Sequence, residues 1–496
     1  MKHSSFKRIL AALLAGLMLL PLAACSTGDE NEETEAPTET QGETKEDQLR
    51  DQLPADLNYG GDEIVFINED NGLSVPDEIY ADNLNGDPVS DAIYERNKAV
   101  ESRLNIKITN IHMNGEVVGQ VITSVNGGSA DYDVMVERCW RAAPKTTGGY
   151  FADLRKTDYI DFDQPWWTQG FNEVMLYKDM QFAVTGAMVL STYRRTHATV
   201  FNKNLFTNAN QDFLYDDVEN GTWTLDKQSA LVPLLARDDG NSVQDEATDT
   251  FGFVSNNFIS ADPYWAACQL DIIRPSQGNG YEWVLDSSKM HDAMEKVLHL
   301  YYETDGGAFI SFEDDSLQSK TQQIFAEGRA AMATLCIGAL ETSLIRNMED
   351  EYGVVPMPKF DEAQTNYYSQ MHDAFTIACI PTTVQGDRLN CMSAVLEAMA
   401  SAGYNSVRPV YYETTLRTKI AQDPQSSKMM ETIMEGIYID AGIVFSHNMD
   451  AFHKVIQQIV TDKNNSTASL IKTRANVAKK QLKTLVRQLD RLMEES

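Results

Sequence analysis

Three things are scarce in this chain of 496 residues, and each scarcity excludes something. Cysteine comes first: beyond Cys25 there are five, Cys139, Cys268, Cys336, Cys379 and Cys391, an odd set at irregular spacings with no CxxC pair. Such a set supplies neither a disulfide framework nor a zinc ribbon. Most sit in apolar contexts such as "ATLCIGAL" and "FTIACIP", where cysteine behaves as a small buried hydrophobe, so no obligatory disulfide is expected. Positive charge is scarce as well, with 41 Lys and Arg against 73 Asp and Glu and a formal net charge of -32. A body this acidic repels nucleic acid and anionic lipid surfaces. The third scarcity is catalytic signature. There is no HExxH, no GxSxG, no P-loop and no GxGxxG after a strand. In "NEDNG" the first calcium-ligand position would fall on Ile67, which has no donor oxygen. Acidic pairs such as Asp314 and Asp315 are explained by a solvated acidic surface. No cofactor and no metal site is expected.

What is present begins at the N-terminus. Lys2, Lys7 and Arg8 precede an apolar run from Ile9 to Leu20, then a Pro21 break and small residues, the layout of a secretory signal. The run is shorter than the roughly 20 residues a membrane-spanning helix needs. Leu22, Ala23, Ala24 and Cys25 resemble the lipobox of bacterial lipoproteins, which implies that Cys25 is lipidated and becomes the mature N-terminus. Two acyl chains anchor firmly where one does so only marginally. From Ser26 to Gln52 the chain is polar and acidic with hardly an apolar residue, so it is expected to be a disordered leash that tethers the body without spanning the membrane.

The body, from Gly61 onward, is long enough for two or three domains. "DEIVFINED" reads as a buried strand. "SDAIYERNKAVESRLNIKIT" places Ile93, Ala99, Val100 and Leu104 at helical spacing and then becomes a strand. A second helix over Val117, Val121 and Val125 leads to a strand from Tyr132 to Val136. This alternation predicts an open α/β sheet. A second α/β block starts near "ATVFNKNLF" and continues through "GTWTLDKQSALVPLLA", where Thr224 is a candidate helix cap and Trp223 packs before it. It then runs through "DSSKMHDAMEKVLHLYYE" and "FAEGRAAMATL", in which a helix ends near Gly328 and a buried strand follows. The last stretch predicts a helix with Val477, Ala478, Leu482, Leu485, Leu489 and Leu492 on one face. Its polar face is basic; packing on an acidic lobe is the expected role, and a membrane-surface helix the alternative.

"YDVMVE", "FNKNLF", "GTWTLDK", "FAEGRAAM" and "YGVVPMPK", in this order, resemble family 1 extracellular solute-binding proteins, the lipoproteins that serve sugar-importing ABC transporters. The resemblance runs from about Gly61 to Val384 and continues more weakly to the end. It implies a two-lobed α/β fold of the periplasmic-binding-protein type II, with hinge strands and a chain that crosses between lobes more than once. The expected division is a signal at 1–24, a lipidated Cys25 with a disordered acidic linker to 60, and lobe 1 at 61–190 with a returning segment at about 336–375. Lobe 2 is expected at 191–335 with about 376–460, and the C-terminal helix at 461–496.

In open α/β sheets a ligand lies beyond the carboxyl ends of the strands. That rule singles out "ERCWRA", where Arg138, Trp140 and Arg141 offer an aromatic face and guanidinium donors. Tyr193 and Arg194 lie near the expected crossover, Tyr264 and Trp265 at a helix start in the second block, and His372 and Asp373 just before a buried strand. A sugar face stacks on an aromatic ring while its hydroxyls need fixed polar partners, so Trp265 is the foremost candidate platform. Each position has a plain alternative in core packing or a surface loop. Of the adjacent Trp166 and Trp167, at least one is expected to pack, since neighbours on a strand face opposite ways.

The expected protein is a non-enzymatic receptor, monomeric and tethered by lipid to the outer face of the cell membrane. It captures a carbohydrate between two lobes and hands it to an ABC permease. Two rivals share much of this pattern: an extracellular glycoside hydrolase, which needs two carboxyls about 5 to 10 Å apart across its cleft, and a binding protein for a peptide or other non-sugar solute.

Overall fold

A computed structural model describes residues 50–69, 79–241, 245–276, 280–305, 307–312, 319–416, 423–463 and 466–495. Cys25, the signal, most of the leash, and Asp314 with Asp315 lie outside the described residues. The described end of the linker is docked: Asp51 takes both Nη atoms of Arg103 at 2.6 and 2.7 Å, and Leu53 is buried. The expected disordered linker to 60 is therefore corrected over 50–60, because a carboxylate and one leucine find fixed partners on lobe 1.

Among the described residues thirteen strands are formed, and nine of them build two main sheets. The first contains β1 (Asp62–Glu69), β2 (Ile106–Met113), β3 (Val134–Arg138) and β12 (Thr376–Cys379) in the order β12-β3-β1-β2. β1 is parallel to both β2 and β3, whereas β12 runs antiparallel to β3. The second contains β4 (His197–Asn202), β5 (Phe253–Asn256), β8 (Ala308–Ser311), β9 (Met332–Cys336) and β10 (Tyr352–Val355) in the order β10-β4-β9-β5-β8. Two short ladders complete the set: the hairpin of β6 (Ile273–Ser276) with β7 (Gly280–Trp283), and β11 (Ser369–Gln370) beside β13 (Ile437–Tyr438). Every residue of β4 and β9 is buried, as befits strands covered on both faces.

Both sheets are sandwiched. In the first, Ile64, Phe66, Val134 and Val136 face one core with the tryptophans 166 and 167, while Ile67 and Met135 face another. In the second, Val200, Val254 and Leu335 point to a third core and Phe201, Phe253 and Met332 to the shared one. Helices are started by local chemistry. Asp87 accepts from the amides of Val89 and Ser90 with Pro88 in the first turn, and Thr224 accepts from the amide of Lys227 to open the helix Leu225–Leu235. Trp223 is buried, its indole N–H donating 2.8 Å to the Pro356 carbonyl. Trp166 and Trp167 are both buried, and both indoles donate to Glu397, at 3.1 and 3.0 Å.

The chain passes from the first sheet to the second at Arg195 and Thr196 and returns at Met371 and His372. These crossings run side by side, with the His372 amide donating 2.9 Å to the Arg195 carbonyl. The expected apportionment of the returning segments is corrected by this pairing. β10 belongs to the second sheet, whereas β12 and the helix Asp387–Ala402, which packs on the helix Pro88–Leu104, belong with the first. Four-residue apolar strands look alike in sequence, and only the hinge decides which sheet receives them.

The C-terminal helix, Thr467–Glu495, buries Ile471, Ala475, Ala478, Leu482, Leu485 and Leu489. Val477, expected on that face, is 39% exposed, and Leu492 is only partly buried. The five cysteines after Cys25 are all buried free thiols. Among the described residues no helix is long and apolar enough to cross a membrane.

Candidate functional site

The carboxyl ends of β3 and β5 open on one cavity of about 210 Å³, bounded also by the return crossing and by a turn-rich segment near the C-terminus. From β3 comes Arg138, whose Nε meets Glu69 at 3.0 Å. The next turn presents Trp140, with the Arg141 guanidinium 4.7 Å from its ring centre and the His447 ring 5.3 Å away at 36°. Arg141 itself is spent on Glu69, 2.8 Å distant. From β5 the chain turns tightly, because Asn256 accepts from the amides of Phe258 and Ser260, and this delivers Ile259 and Asp262 to the cavity.

The polar floor is a linked set. Asp262 accepts from Gln457 at 2.8 and 3.0 Å, and burial, aided by the nearby Asp373, pushes its carboxyl well above the usual range. Asp373 faces Nε2 of His453 at 3.4 Å and Nδ1 of His372 at 3.3 Å. That His372 nitrogen also accepts from the Ala374 amide at 3.1 Å, and burial beside Arg195 and Arg138 pushes the ring down to about 3, so His372 is a neutral acceptor. His453, pushed down to about 4 by burial, is bonded through Nδ1 to the Ser446 hydroxyl. A neutral ring donating from Nε2 to Asp373 satisfies both contacts. Lys454 completes the rim.

Four of the residues singled out from sequence, Arg138, Trp140, His372 and Asp373, thus line one cavity. The other five are placed elsewhere by their packing. Trp265 is 2% exposed, its indole donating 2.9 Å to the His453 carbonyl and its ring tilted against Phe452, so it braces the cavity from behind and is no platform. Tyr264 is buried against Tyr301. Arg194 holds Glu341 through Nε and Nη2 at 3.1 and 3.0 Å, and Tyr193 stacks on Tyr411. Both therefore fasten the crossover, and Arg141 is turned to Glu69. Sequence reasoning missed Asp262, His447, His453 and Gln457. A signal was present for two of them: "SHNMDAFHK" holds two of the chain's eight histidines. Among the described residues no group of His, Cys, Asp and Glu is arranged to hold a metal ion.

Chemically, the cavity joins the rings of Trp140 and Phe258 to several hydrogen-bond acceptors and two cationic donors. That arrangement suits a compact ligand that has both an apolar face and hydroxyl groups.

No protein-family model and no curated protein matches the sequence. Solved structures do match in fold. An ABC substrate-binding protein from Listeria monocytogenes in complex with cycloalternan is 13% identical, at a TM-score of 0.55 over 85% of this chain and 99% of its own. The GacH receptor of Streptomyces glaucescens, solved unliganded and with acarbose, is 14% identical, at 0.55 over 86% and 99%. Maltose-bound MalE3 of T. maritima is 14% identical, at 0.53 over 84% and 99%. With its two sandwiched sheets, its paired crossings and a cavity at the strand ends, this chain has the two-lobed periplasmic-binding-protein fold of these ABC-transporter substrate-binding proteins.

Proposed function

We propose that the protein is a carbohydrate receptor, non-enzymatic, which is anchored outside the cell through Cys25 and delivers its ligand to an ABC importer. The observation that carries this reading is Trp140 beside Asp262, Asp373 and Lys454 in a cavity where the two sheets' carboxyl ends meet, within a fold whose solved neighbours hold sugars. Trp140 offers a stacking face to a pyranose ring; the carboxyl groups accept from hydroxyls, and Arg138 and Lys454 donate to ring and glycosidic oxygens. The proposed lobes are those of the two sheets, closing about the paired crossings at 195–196 and 371–372. The leash leaves the body free to search while holding it near the permease.

One observation favours a second reading. Two carboxyl groups share the cavity and one of them, Asp262, is pushed up by burial, the pattern of a glycosidase acid beside a carboxylate. Against it, Asp262 is engaged by Gln457 and Asp373 faces His453.

A thermal-shift panel of mono- and oligosaccharides, amino acids and short peptides distinguishes the readings. A ligand at ~100 times its Kd adds ~2.7 kcal/mol of stability. A shift with sugars alone supports the receptor, a shift with peptides alone overturns the carbohydrate assignment, and steady release of cleaved glycan favours the hydrolase.

A further inference from the structure

The C-terminal helix is attached through one face only. Its apolar stripe is already covered by the body, including the helix Ser287–Tyr302 and the segment 446–449. The face turned outward is basic: Lys472, Lys479, Lys480, Lys483, Arg487 and Arg491 are all exposed. At 3.6 residues per turn these six fall opposite the buried stripe within an arc of roughly 120°, which Asp490 and the exposed Glu494 share only in the last two turns, and the ~1.5 Å rise per residue spreads them over roughly 28 Å. The helix holds seven Lys and Arg against three Asp and Glu, on a chain whose formal charge is otherwise strongly negative.

Few of these cations are neutralised within the protein. Arg491 meets Glu495, the half-buried Arg474 meets Asp450, and Lys479 stands over the Trp283 ring. Asp490 serves Lys178 and Tyr177. Lys472, Lys480, Lys483 and Arg487 take no carboxylate among the described residues, although the body is rich in them. A row of like charges on one helix face repels itself and gains nothing for folding. It gains when an anionic surface lies against it.

We infer that this ridge is a docking surface for anionic lipid headgroups, on which the folded body lies against the membrane. The acidity of the whole molecule does not prevent this. The Debye length at physiological salt is about 8 Å, so a surface touching the ridge meets its cations while charges on the far side are screened. No apolar face is inserted, which separates this contact from an interfacial amphipathic helix: the grease belongs to the body and only charge faces the lipid. Each cation brought to an anionic leaflet raises affinity about fivefold, so four acting together exceed tenfold with ease.

The test uses the chain of residues 26–496, which holds the whole described body, so that neither an acyl chain nor the basic, apolar stretch before Cys25 contributes. It is sedimented with vesicles of phosphatidylglycerol and phosphatidylcholine in equal parts, and with vesicles of phosphatidylcholine alone. Retention on the anionic vesicles should be at least tenfold greater and should fall as salt is raised. Changing Lys472, Lys480, Lys483 and Arg487 together to Gln should abolish the difference without moving the melting temperature, since none of the four is buried. Changing Lys98, Lys107, Lys156 and Lys428 to Gln, a matched loss of exposed charge elsewhere, should leave it in place. Equal retention on both vesicles, or equal loss in both variants, overturns the proposal. So does lipid-free self-association that depends on the ridge, which would make its partner the acidic body of a second copy.

Discussion

At the scale of single residues, two tryptophans with similar sequence surroundings do different work. Trp140 is half-buried at the cavity wall, whereas Trp265 is fully buried and bonded to the His453 carbonyl. If the proposed receptor stacks its sugar on Trp140, Trp140→Ala should weaken binding of the sugar that gives the thermal shift about tenfold, equivalent to ~1.4 kcal/mol, with little change in the denaturant midpoint. Trp265→Ala should cost ~3 to 5 kcal/mol of stability. Calorimetric titration beside chemical melting separates the two. A second residue-scale prediction concerns Glu397, which receives both indoles and the Asp161 amide, yet is pushed up to about 7 by burial. A carboxyl that holds its proton more tightly when folded stabilises below its unfolded value near 4.5, and loses that contribution as pH rises to about 7. Asp440, also pushed up to about 7 by burial, acts in the same direction. His372 and His453, kept neutral by burial, act in the opposite direction over the same range, so the readout is the difference between variant and wild type: the melting temperature of Glu397→Gln relative to the wild type should rise from pH 5 to pH 8.

At the scale of elements, the C-terminal helix shows how periodicity is read and where it misleads. Ala478, Leu482, Leu485 and Leu489 were legible as a core stripe because their spacing follows the helical period. Val477 adjoins that stripe in sequence but lies outside its arc, and the stripe is completed instead by Ile471 and Ala475. Leu485→Ala should cost ~2 to 5 kcal/mol, because it empties a packed site. Val477→Ala should move stability by less than ~0.5 kcal/mol, as surface changes do. Denaturant titration of both variants checks the pair. The cap at Thr224 was equally legible, since it depends only on a hydroxyl three residues before an amide.

At the scale of the whole molecule, the proposed anchor is testable at Cys25. The body is held from Asp51 onward, where that carboxylate pairs with Arg103 at the end of the helix Pro88–Leu104. If Cys25 is the lipidated N-terminus, mass spectrometry of the mature protein from membranes should find a diacylglyceryl adduct there. Cys25→Ala should move the protein from the membrane fraction to the medium at low phosphatidylglycerol or high salt, with sugar binding unchanged. An unmodified wild-type terminus would refute the anchor while leaving the receptor reading intact.

The sequence by itself determined the strand and helix alternation from Asp62 to Val136, the capped helix after Thr224, the buried stripe of the C-terminal helix, the buried thiols and four members of the cavity. These rest on short-range patterns: periods of two and 3.6, caps, and loops that follow strands. Tertiary structure alone decided that β10 joins the second sheet and β12 the first, because both are short apolar strands and only the paired crossings at Arg195 and His372 assign them. It also decided which polar groups converge. Asp262, His447, His453 and Gln457 come from segments nearly 200 residues apart, and no local rule connects them. Trp265 was misread for the same reason: an aromatic after a polar loop faces a ligand or a core according to what folds over it, and here the segment carrying Phe452 and His453 covers it.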